Sequence, residues 1–142
     1  PLVVLANAVS DRHPDHGRAA ELLSRAVFLS GLVKIKTTFK GVNQTPWRPK
    51  NRYHYIQYNS LKPDILFDVS KQMAAKMQAV MAYKSQFFNP DSKAPETPIS
   101  SKQFLDSIES RAAEYGKYMG VDYAEAFTVG RPIGVNNLFD LK

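Results

Sequence analysis

The sequence contains no cysteine and only three histidines. The absence of cysteine excludes disulfide bonds, thiolate catalysis, and zinc or iron–sulfur sites built on cysteine. The chain also lacks an uninterrupted apolar run of about eighteen residues, so the sequence predicts no membrane span. The apolar stretch at its start has no basic residues ahead of it, which argues against a secretory signal. We therefore expect a cytoplasmic protein that does not bind membranes.

Acidic residues are missing from one long segment, residues 33–52, which carries six basic residues, Lys34, Lys36, Lys40, Arg48, Lys50 and Arg52. The formal net charge of the whole chain is +6. A basic balance favours an anionic partner, which could be a nucleic acid, a phosphate or an acidic small molecule. The ordinary interpretation of such a charge run is a solvated loop. The sequence leaves the role of this segment open.

The first thirty residues have the pattern of a βα unit. The run "LVVLA" is continuously apolar and β-branched, as in a parallel strand that is covered on both faces. From Pro14 the apolar residues recur at helical spacing, and Gly31 is the expected end of this helix. Ligands gather at the carboxyl ends of the strands in such sheets. We therefore expect a ligand near residues 7–16. Because this strand lies at the very start of the sequence, we expect a further N-terminal part.

The remaining pattern predicts further strands and helices. A long connection, anchored by Phe39 and Trp47, precedes two alternating segments that we expect to form an antiparallel hairpin. A helix with a methionine stripe follows, and the stripe is the pattern of a side packed into the core. The predicted elements are, in order, strands 52–58 and 64–69, a helix over 71–87 capped by Ser70, a helix from about Ser100 to Met119 that Gly120 stops, and an extended segment at 122–129.

The sequence "DRHPDH" lies where the first helix begins and holds the residues best suited to chemistry. His13 and His16 are three positions apart, so they share a helix face or flank one pocket. Imidazole is both the commonest metal ligand and the usual general acid or base at neutral pH. Asp15 could accept a hydrogen bond from a histidine N–H and fix its tautomer. Arg12 adds a permanent positive charge that could hold an oxyanion or a substrate hydroxyl.

A simpler interpretation of the same residues is helix capping and a solvated turn. A catalytic zinc site needs three protein ligands and an open position. The chain offers His16 and His13 but no third histidine nearby, and we expect His54, in a strand, to be packed or on the surface. On its own residues the metal site is therefore incomplete.

Three segments in the same order resemble the LmbE/PIG-L family of zinc-dependent N-acetylglucosaminyl deacetylases. They are "DRHPDH" with the helix that follows it, "AYKSQF" at 82–87 and "YAEAF" at 123–127. The similarity is greatest to the bacillithiol biosynthesis deacetylases and covers essentially the whole chain. It implies a Rossmann-like α/β fold in which residues 1–142 form the C-terminal portion of a single deacetylase domain. The family's N-terminal strands and their His-Pro-Asp-Asp signature are absent from this sequence.

The resemblance also implies roles for individual residues. His16 would be a Zn²⁺ ligand and His13 the catalytic histidine, which stabilises the oxyanion or protonates the leaving amine. Asp15 would orient His13 and stabilise its charge, while Arg12 and Gln86 would face the substrate. Because the His-Pro-Asp-Asp signature supplies the family's other two zinc ligands and its catalytic base, we expect these residues alone to be inactive.

The function implied by the resemblance is zinc-dependent removal of the acetyl group from an N-acetylglucosamine conjugate. The subgroup points to N-acetylglucosaminyl-malate, an intermediate of bacillithiol biosynthesis, as the substrate. Relatives are often trimers or hexamers, so a homo-oligomer that binds no nucleic acid is expected. Two alternatives stay open. One is a basic module that binds nucleic acid or another anion without catalysis, and the other is a structural half-domain used only for assembly.

Overall fold

The computed structural model describes residues 1–141, so Lys142, the last residue of the predicted domain range, lies outside the described residues. The chain forms two compact units. One comprises residues 1–65 and 127–141 and is called the histidine unit, because it contains all three histidines. The second unit comprises residues 66–126. Within residues 1–141, no helix is both long enough and apolar enough to cross a membrane.

The chain combines α-helices with a mixed β-sheet, which agrees with the predicted α/β class. The helices are α1 (Pro14–Ser30), α2 (Met73–Met81) and α3 (Lys102–Met119), with short 3₁₀ helices at Ser70–Gln72 and Leu138–Asp140. The strands are β1 (Val3–Ala6), β2 (Thr38–Phe39), β3 (Val42–Asn43), β4 (Asn51–Tyr55), β5 (Ile65–Asp68) and β6 (Ala124–Val129). The four-stranded sheet has the order β1-β4-β6-β5, and β2 and β3 form a separate pair.

Strand β1 pairs in parallel with β4, as its continuous apolar sequence predicts, and Ala6 lies opposite His54. The expected cover on both faces is not present among the described residues, because the side chains of Val3 and Leu5 are exposed. The carboxyl ends of β1 and β4 lie at the same edge of the sheet, since parallel strands run in the same direction.

Helix α1 begins and ends where its sequence predicts. Pro14 occupies the first turn, where its missing N–H leaves no hydrogen bond unmade. The helix ends at Ser30, and Gly31 is the capping residue. The side chain of Arg48 occupies the space that a Cβ at Gly31 would need, and its Nη2 donates to the carbonyl of Phe28 at 2.9 Å. Glycine at position 31 therefore leaves room for the Arg48 side chain in addition to capping the helix.

The predicted hairpin between β4 and β5 is wrong, because β6 lies between them in the sheet. Within the histidine unit, Phe127 pairs with Tyr55 in antiparallel register. Its carbonyl also accepts the backbone N–H of Asp64 at 2.9 Å. Alternating apolar residues show that a segment is a strand but do not identify its partner. The connection between β4 and β5 also exceeds the two to five residues typical of hairpin loops.

A short hairpin formed by β2 and β3 interrupts the long connection that precedes β4. Its turn residues, Lys40 and Gly41, have φ angles of 50° and 77°. Two consecutive residues with positive φ form the kind of tight turn that suits the twist of a hairpin. The usual signal for this turn is Asn-Gly or Asp-Gly, whereas here the first position is lysine. Without that signal, the sequence did not predict this hairpin.

Helix α2 in the second unit differs from its prediction at both ends, because it begins at Met73 and ends at Met81 instead of covering 71–87. Ser70 does not cap it; its hydroxyl donates instead to Asp68 Oδ1 at 2.7 Å, and a 3₁₀ turn precedes Met73. The methionine stripe is only partly in the core, because Met73 is buried while Met81 is exposed.

Helix α3 follows its prediction closely. Its N-cap is Ser101, whose hydroxyl accepts the backbone N–H of Phe104 at 3.1 Å. It ends at Met119, and Gly120 adopts the left-handed conformation with φ 68° that glycine tolerates best. The predicted extended segment that follows contains β6.

Candidate functional site

The candidate site lies at the carboxyl end of β1, in the turn that leads into α1. His13 is the N-cap of this helix, and its Nδ1 accepts the backbone N–H of Asp15 at 3.2 Å. A neutral imidazole that accepts at Nδ1 carries its proton on Nε2. His13 therefore offers an N–H donor on the side of its ring away from the helix backbone. Its side chain is 49% exposed.

His16 makes a short hydrogen bond to a residue that the sequence analysis did not select. Its Nδ1 lies 2.5 Å from Oδ2 of Asp11. The Asp11 side chain is only 1% exposed, and that of His16 is 34% exposed. A carboxylate can only accept hydrogen bonds, so Nδ1 of His16 carries the proton in this pair. The lone pair of a neutral His16 ring is then on Nε2.

The second oxygen of Asp11 is held by backbone amides. Oδ1 accepts the N–H groups of Arg12 at 2.8 Å, Tyr58 at 3.1 Å and Asn59 at 3.1 Å. Burial by itself would raise the pKa of the Asp11 carboxyl, but the hydrogen bonds from His16 and from these amides outweigh it. The pKa of Asp11 is therefore lower than its ordinary value of 3.8. Asp11 joins the β1–α1 turn to the segment after β4.

The rings of His13 and His16 lie beside one another. Their centroids are 5.3 Å apart and their planes are inclined by 30°. In each ring Nδ1 is engaged by the protein, by a backbone N–H in His13 and by the Asp11 carboxylate in His16. In their neutral forms the two rings therefore carry opposite tautomers, with a proton on Nε2 of His13 and a lone pair on Nε2 of His16. The N–H of His13 suits hydrogen-bond donation, and the lone pair of His16 suits binding a metal ion.

Asp15 contacts His13 through its backbone and not through a carboxylate hydrogen bond. Its Oδ2 lies 3.9 Å from His13 Nδ1, beyond hydrogen-bond distance, while Oδ1 pairs with Arg18 at 3.3 Å. The predicted role of the Asp15 carboxylate in stabilising the charge on His13 stays a prediction.

The two predicted substrate-binding residues lie in different units. The Arg12 guanidinium is 5.2 Å from the centroid of the Tyr58 ring, a distance suited to a cation–π contact. Gln86 is an exposed residue of the second unit, after α2, and its backbone N–H donates to the carbonyl of Tyr83 at 2.9 Å. Both substrate roles stay predictions.

His54 is packed in the interior, one of the two positions expected for it. It is buried on β4, and its Nδ1 lies 2.7 Å from the carbonyl oxygen of Asn7. A backbone carbonyl only accepts, so Nδ1 of His54 carries a proton. His54 therefore ties β4 to the residue that follows β1.

Asp11 and its two partners beyond β4 are not among the residues predicted from the sequence. Asp11 is part of the quoted "DRHPDH", and a polar residue just after a parallel strand was a usable signal. Tyr58 and Asn59 lie 47 and 48 positions from Asp11 along the chain. No local pattern reports a contact at that separation.

A zinc ion fits part of this arrangement. A metal-binding histidine usually donates its other ring N–H to a carboxylate, and His16 does so to Asp11. Across residues 1–141, however, no three His, Cys, Asp or Glu side chains cluster in a way that could hold a metal ion. The described part of the chain thus supplies a suitable single ligand and not a whole metal site.

The protein-family models that were searched give no match to this chain. Among solved structures, it is similar to the conserved protein TT1542 from Thermus thermophilus, with a TM-score of 0.78 and 30% sequence identity. The similarity covers 97% of this chain and 56% of TT1542.

Two enzymes share the fold at lower identity. One is N,N'-diacetylchitobiose deacetylase from Pyrococcus horikoshii, with a TM-score of 0.66, 22% identity, and coverage of 91% of this chain and 45% of the enzyme. The other is GalB, the 4-carboxy-2-hydroxymuconate hydratase from Pseudomonas putida KT2440, with a TM-score of 0.66, 19% identity, and coverage of 97% of this chain and 55% of the enzyme. Identities this low show a shared fold and no more. The chain spans about half the length of each of the three proteins, and its fold is the mixed α/β fold that a deacetylase also uses.

Proposed function

We propose that this chain is the C-terminal portion of a Zn²⁺-dependent N-deacetylase of the LmbE/PIG-L type. The observation that carries the proposal is the pair of neighbouring imidazoles, His13 and His16, each held by the protein through Nδ1 at the carboxyl end of a parallel strand. The likeness in fold to N,N'-diacetylchitobiose deacetylase supports it.

In this proposal His16 is a metal ligand through Nε2. Its Nδ1–H is held by the buried Asp11 carboxylate, so the ring cannot rotate freely and its lone pair keeps one direction. Bound there, Zn²⁺ would supply a water whose pKa is lowered to about 7. The remaining ligands and the base that deprotonates this water come from the His-Pro-Asp-Asp signature that the resemblance implies.

His13 is the proposed catalytic histidine. Its Nε2–H can donate a hydrogen bond to the oxygen of the acetamide carbonyl as negative charge develops there. Passing a proton to the departing amine requires the doubly protonated ring, which returns to the neutral form as the amine gains the proton. A well-placed donor to such an oxyanion contributes about 3–4 kcal/mol of transition-state stabilisation. The Asp15 carboxylate, 3.9 Å from His13 Nδ1, would favour the charged form of the ring as it gains a proton.

The proposed substrate is an N-acetylglucosamine conjugate, with N-acetylglucosaminyl-malate as the specific candidate. Arg12 and Gln86 are the residues proposed to contact it. A malate group carries carboxylates, which suit a guanidinium such as Arg12 or the basic segment 33–52. The proposed protein is a cytoplasmic homo-oligomer, either a trimer or a hexamer, that does not bind nucleic acid.

Alanine variants of the two histidines test the proposal in the complete deacetylase, which is this chain together with the part proposed to carry the His-Pro-Asp-Asp signature. Wild type should hold close to one zinc ion per chain and release acetate from N-acetylglucosaminyl-malate. His16→Ala should lose the metal, whereas His13→Ala should keep it and lose about 10²–10⁴-fold in turnover. His13→Ala is the matched control, because it removes the neighbouring ring from the same turn. A His16→Ala variant that binds zinc as tightly as wild type would show that the ligand is wrongly assigned.

A second candidate function is an anion-binding module without catalysis. It is favoured by the exposed aromatic side chains of Phe39 and Trp47 within the basic segment 33–52. Nucleic-acid surfaces often combine these residue types. This candidate predicts binding to single-stranded oligonucleotides that weakens linearly with the logarithm of salt concentration. The deacetylase proposal predicts no such binding.

A further inference from the structure

We propose that Asp11 is the positioning residue for His16: it fixes this imidazole as the Nδ1–H tautomer and keeps Nε2 free for a metal ion. The inference rests on the proposed function for the identity of the ligand that Nε2 meets. The state of the His16 ring itself does not depend on that function and can be measured separately.

The Asp11 carboxylate divides its two oxygens between the backbone and the His16 ring. It is almost completely shielded from solvent, and both oxygens are engaged by N–H groups. Oδ1 accepts three backbone N–H groups and Oδ2 faces one ring nitrogen, 2.5 Å away. Oδ1 is occupied by three donors, and Oδ2 faces the ring nitrogen, so the carboxylate is placed as the acceptor in the short contact. The proton in the short contact belongs to Nδ1 of His16.

The same carboxylate fixes where the His16 ring lies. Two of its amide partners, those of Tyr58 and Asn59, belong to the segment after β4, while His16 is on the first turn of α1. Asp11 thus attaches the histidine to two neighbouring strand ends at once. The Tyr58 ring, carried by this segment, lies 5.2 Å from the Arg12 guanidinium. The position of Arg12 is therefore tied to the same carboxylate.

The variant Asp11→Asn should change the hydrogen bond to the His16 ring and keep the hydrogen bonds that anchor the segment after β4. The asparagine oxygen can still accept the three backbone N–H groups, and this orientation leaves its NH₂ group facing His16. An NH₂ group only donates, so Nδ1 of His16 must become the acceptor and the ring proton must move to Nε2. The variant should keep the fold while the nitrogen proposed to bind metal becomes protonated.

The test is the tautomer of His16, measured by nitrogen-15 NMR in the metal-free full chain at about pH 8, where an ordinary imidazole is neutral. Wild type should show Nδ1–H, and Asp11→Asn should show Nε2–H. The zinc affinity of the variant, measured by competition with a chelator, should fall about 10–100-fold. Asp64→Asn is the matched control, because Asp64 also accepts a backbone N–H, that of Val129 at 2.8 Å, but lies outside the site. Asp64→Asn should change neither the tautomer of His16 nor the zinc affinity.

A wild-type His16 with its proton on Nε2 would overturn the proposal, and this measurement needs no variant. A folded Asp11→Asn protein that keeps Nδ1–H on His16 would overturn it as well. A tautomer that switches as expected, with zinc affinity unchanged, supports the role of Asp11 and counts against His16 as the ligand. That last result would contradict the proposed function alone.

Discussion

At the scale of single residues, the turn between β1 and α1 brings one buried carboxylate and two imidazoles together. Each ring uses Nδ1 within the protein, so the chemistry available to a ligand is that of Nε2. The partners differ, because His13 accepts from a backbone amide and His16 donates to Asp11. Because the partners differ, Nε2 is a hydrogen-bond donor in neutral His13 and carries the lone pair in neutral His16.

A residue-scale prediction concerns Tyr123, whose hydroxyl donates to Glu109 Oε1 at 2.8 Å. This hydrogen bond and the charge of Glu109 raise the pKa of Tyr123 above its ordinary value of 10.0. Because the pKa is raised in the folded state, the stabilisation from this contact is complete below pH 10.0 and is lost as the pH rises through the folded-state pKa. Glu109→Gln should lower the pKa of Tyr123 in an ultraviolet titration.

The control for this titration is Tyr123→Phe, which should remove the same ionisation step from the curve. If Glu109→Gln and wild type give identical curves, the contact does not hold the phenol proton in solution.

The sequence predicted that His13 and His16 lie close together, but it did not predict the residues that hold them. The spacing of His13 and His16 at a helix start is a local feature, and the structure places their rings side by side. The partner of His16 is five positions away, and the amides that hold this partner come from beyond β4. Such contacts depend on which strands become neighbours, and this information is not contained in local spacing.

At the scale of secondary-structure elements, the best-predicted helices are those with sharp ends. Helix α1 has Pro14 and Gly31 at its ends, and α3 has Ser101 and Gly120. These residues act on the backbone directly, so their effect does not depend on the rest of the fold. Helix α2 has no side-chain cap, and its start and length were predicted less well. The β4–β5 hairpin was wrong because strand pairing is a long-range property.

An element-scale prediction concerns Gly116 in α3. A Cβ at this position would lie 2.5 Å from the carbonyl oxygen of Val121 and 2.7 Å from that of Asp122. Alanine normally stabilises a helix interior relative to glycine by about 1 kcal/mol. Here the backbone beyond Gly120 would have to move, so Gly116→Ala should instead destabilise the protein by about 1–3 kcal/mol. Urea unfolding followed by circular dichroism measures this change.

Lys117→Ala is the control for Gly116→Ala, because Lys117 is the exposed neighbour on the same helix. It should change the free energy of unfolding by no more than about 0.5 kcal/mol. A Gly116→Ala variant more stable than wild type would mean that α3 and the segment after it are further apart than these distances indicate.

At the scale of the whole molecule, the fold does not determine the reaction. The same mixed α/β fold occurs in a chitobiose deacetylase and in a muconate hydratase. Function must therefore be argued from the site, where His13, His16 and Asp11 meet. The sequence predicted the α/β class because a β-branched run followed by a helix is a local signal. It did not predict the division into two units, since that depends on contacts between distant residues.

The most direct test is the release of acetate by the complete deacetylase, which includes the part proposed to carry the His-Pro-Asp-Asp signature, with zinc removed and then restored. N-acetylglucosaminyl-malate is the substrate, and acetate and the free amine are both quantified. The account predicts one acetate for each amine formed, with activity that is lost on chelation and regained with zinc. A folded protein that binds zinc but releases no acetate from this or any other N-acetylglucosamine conjugate would contradict it.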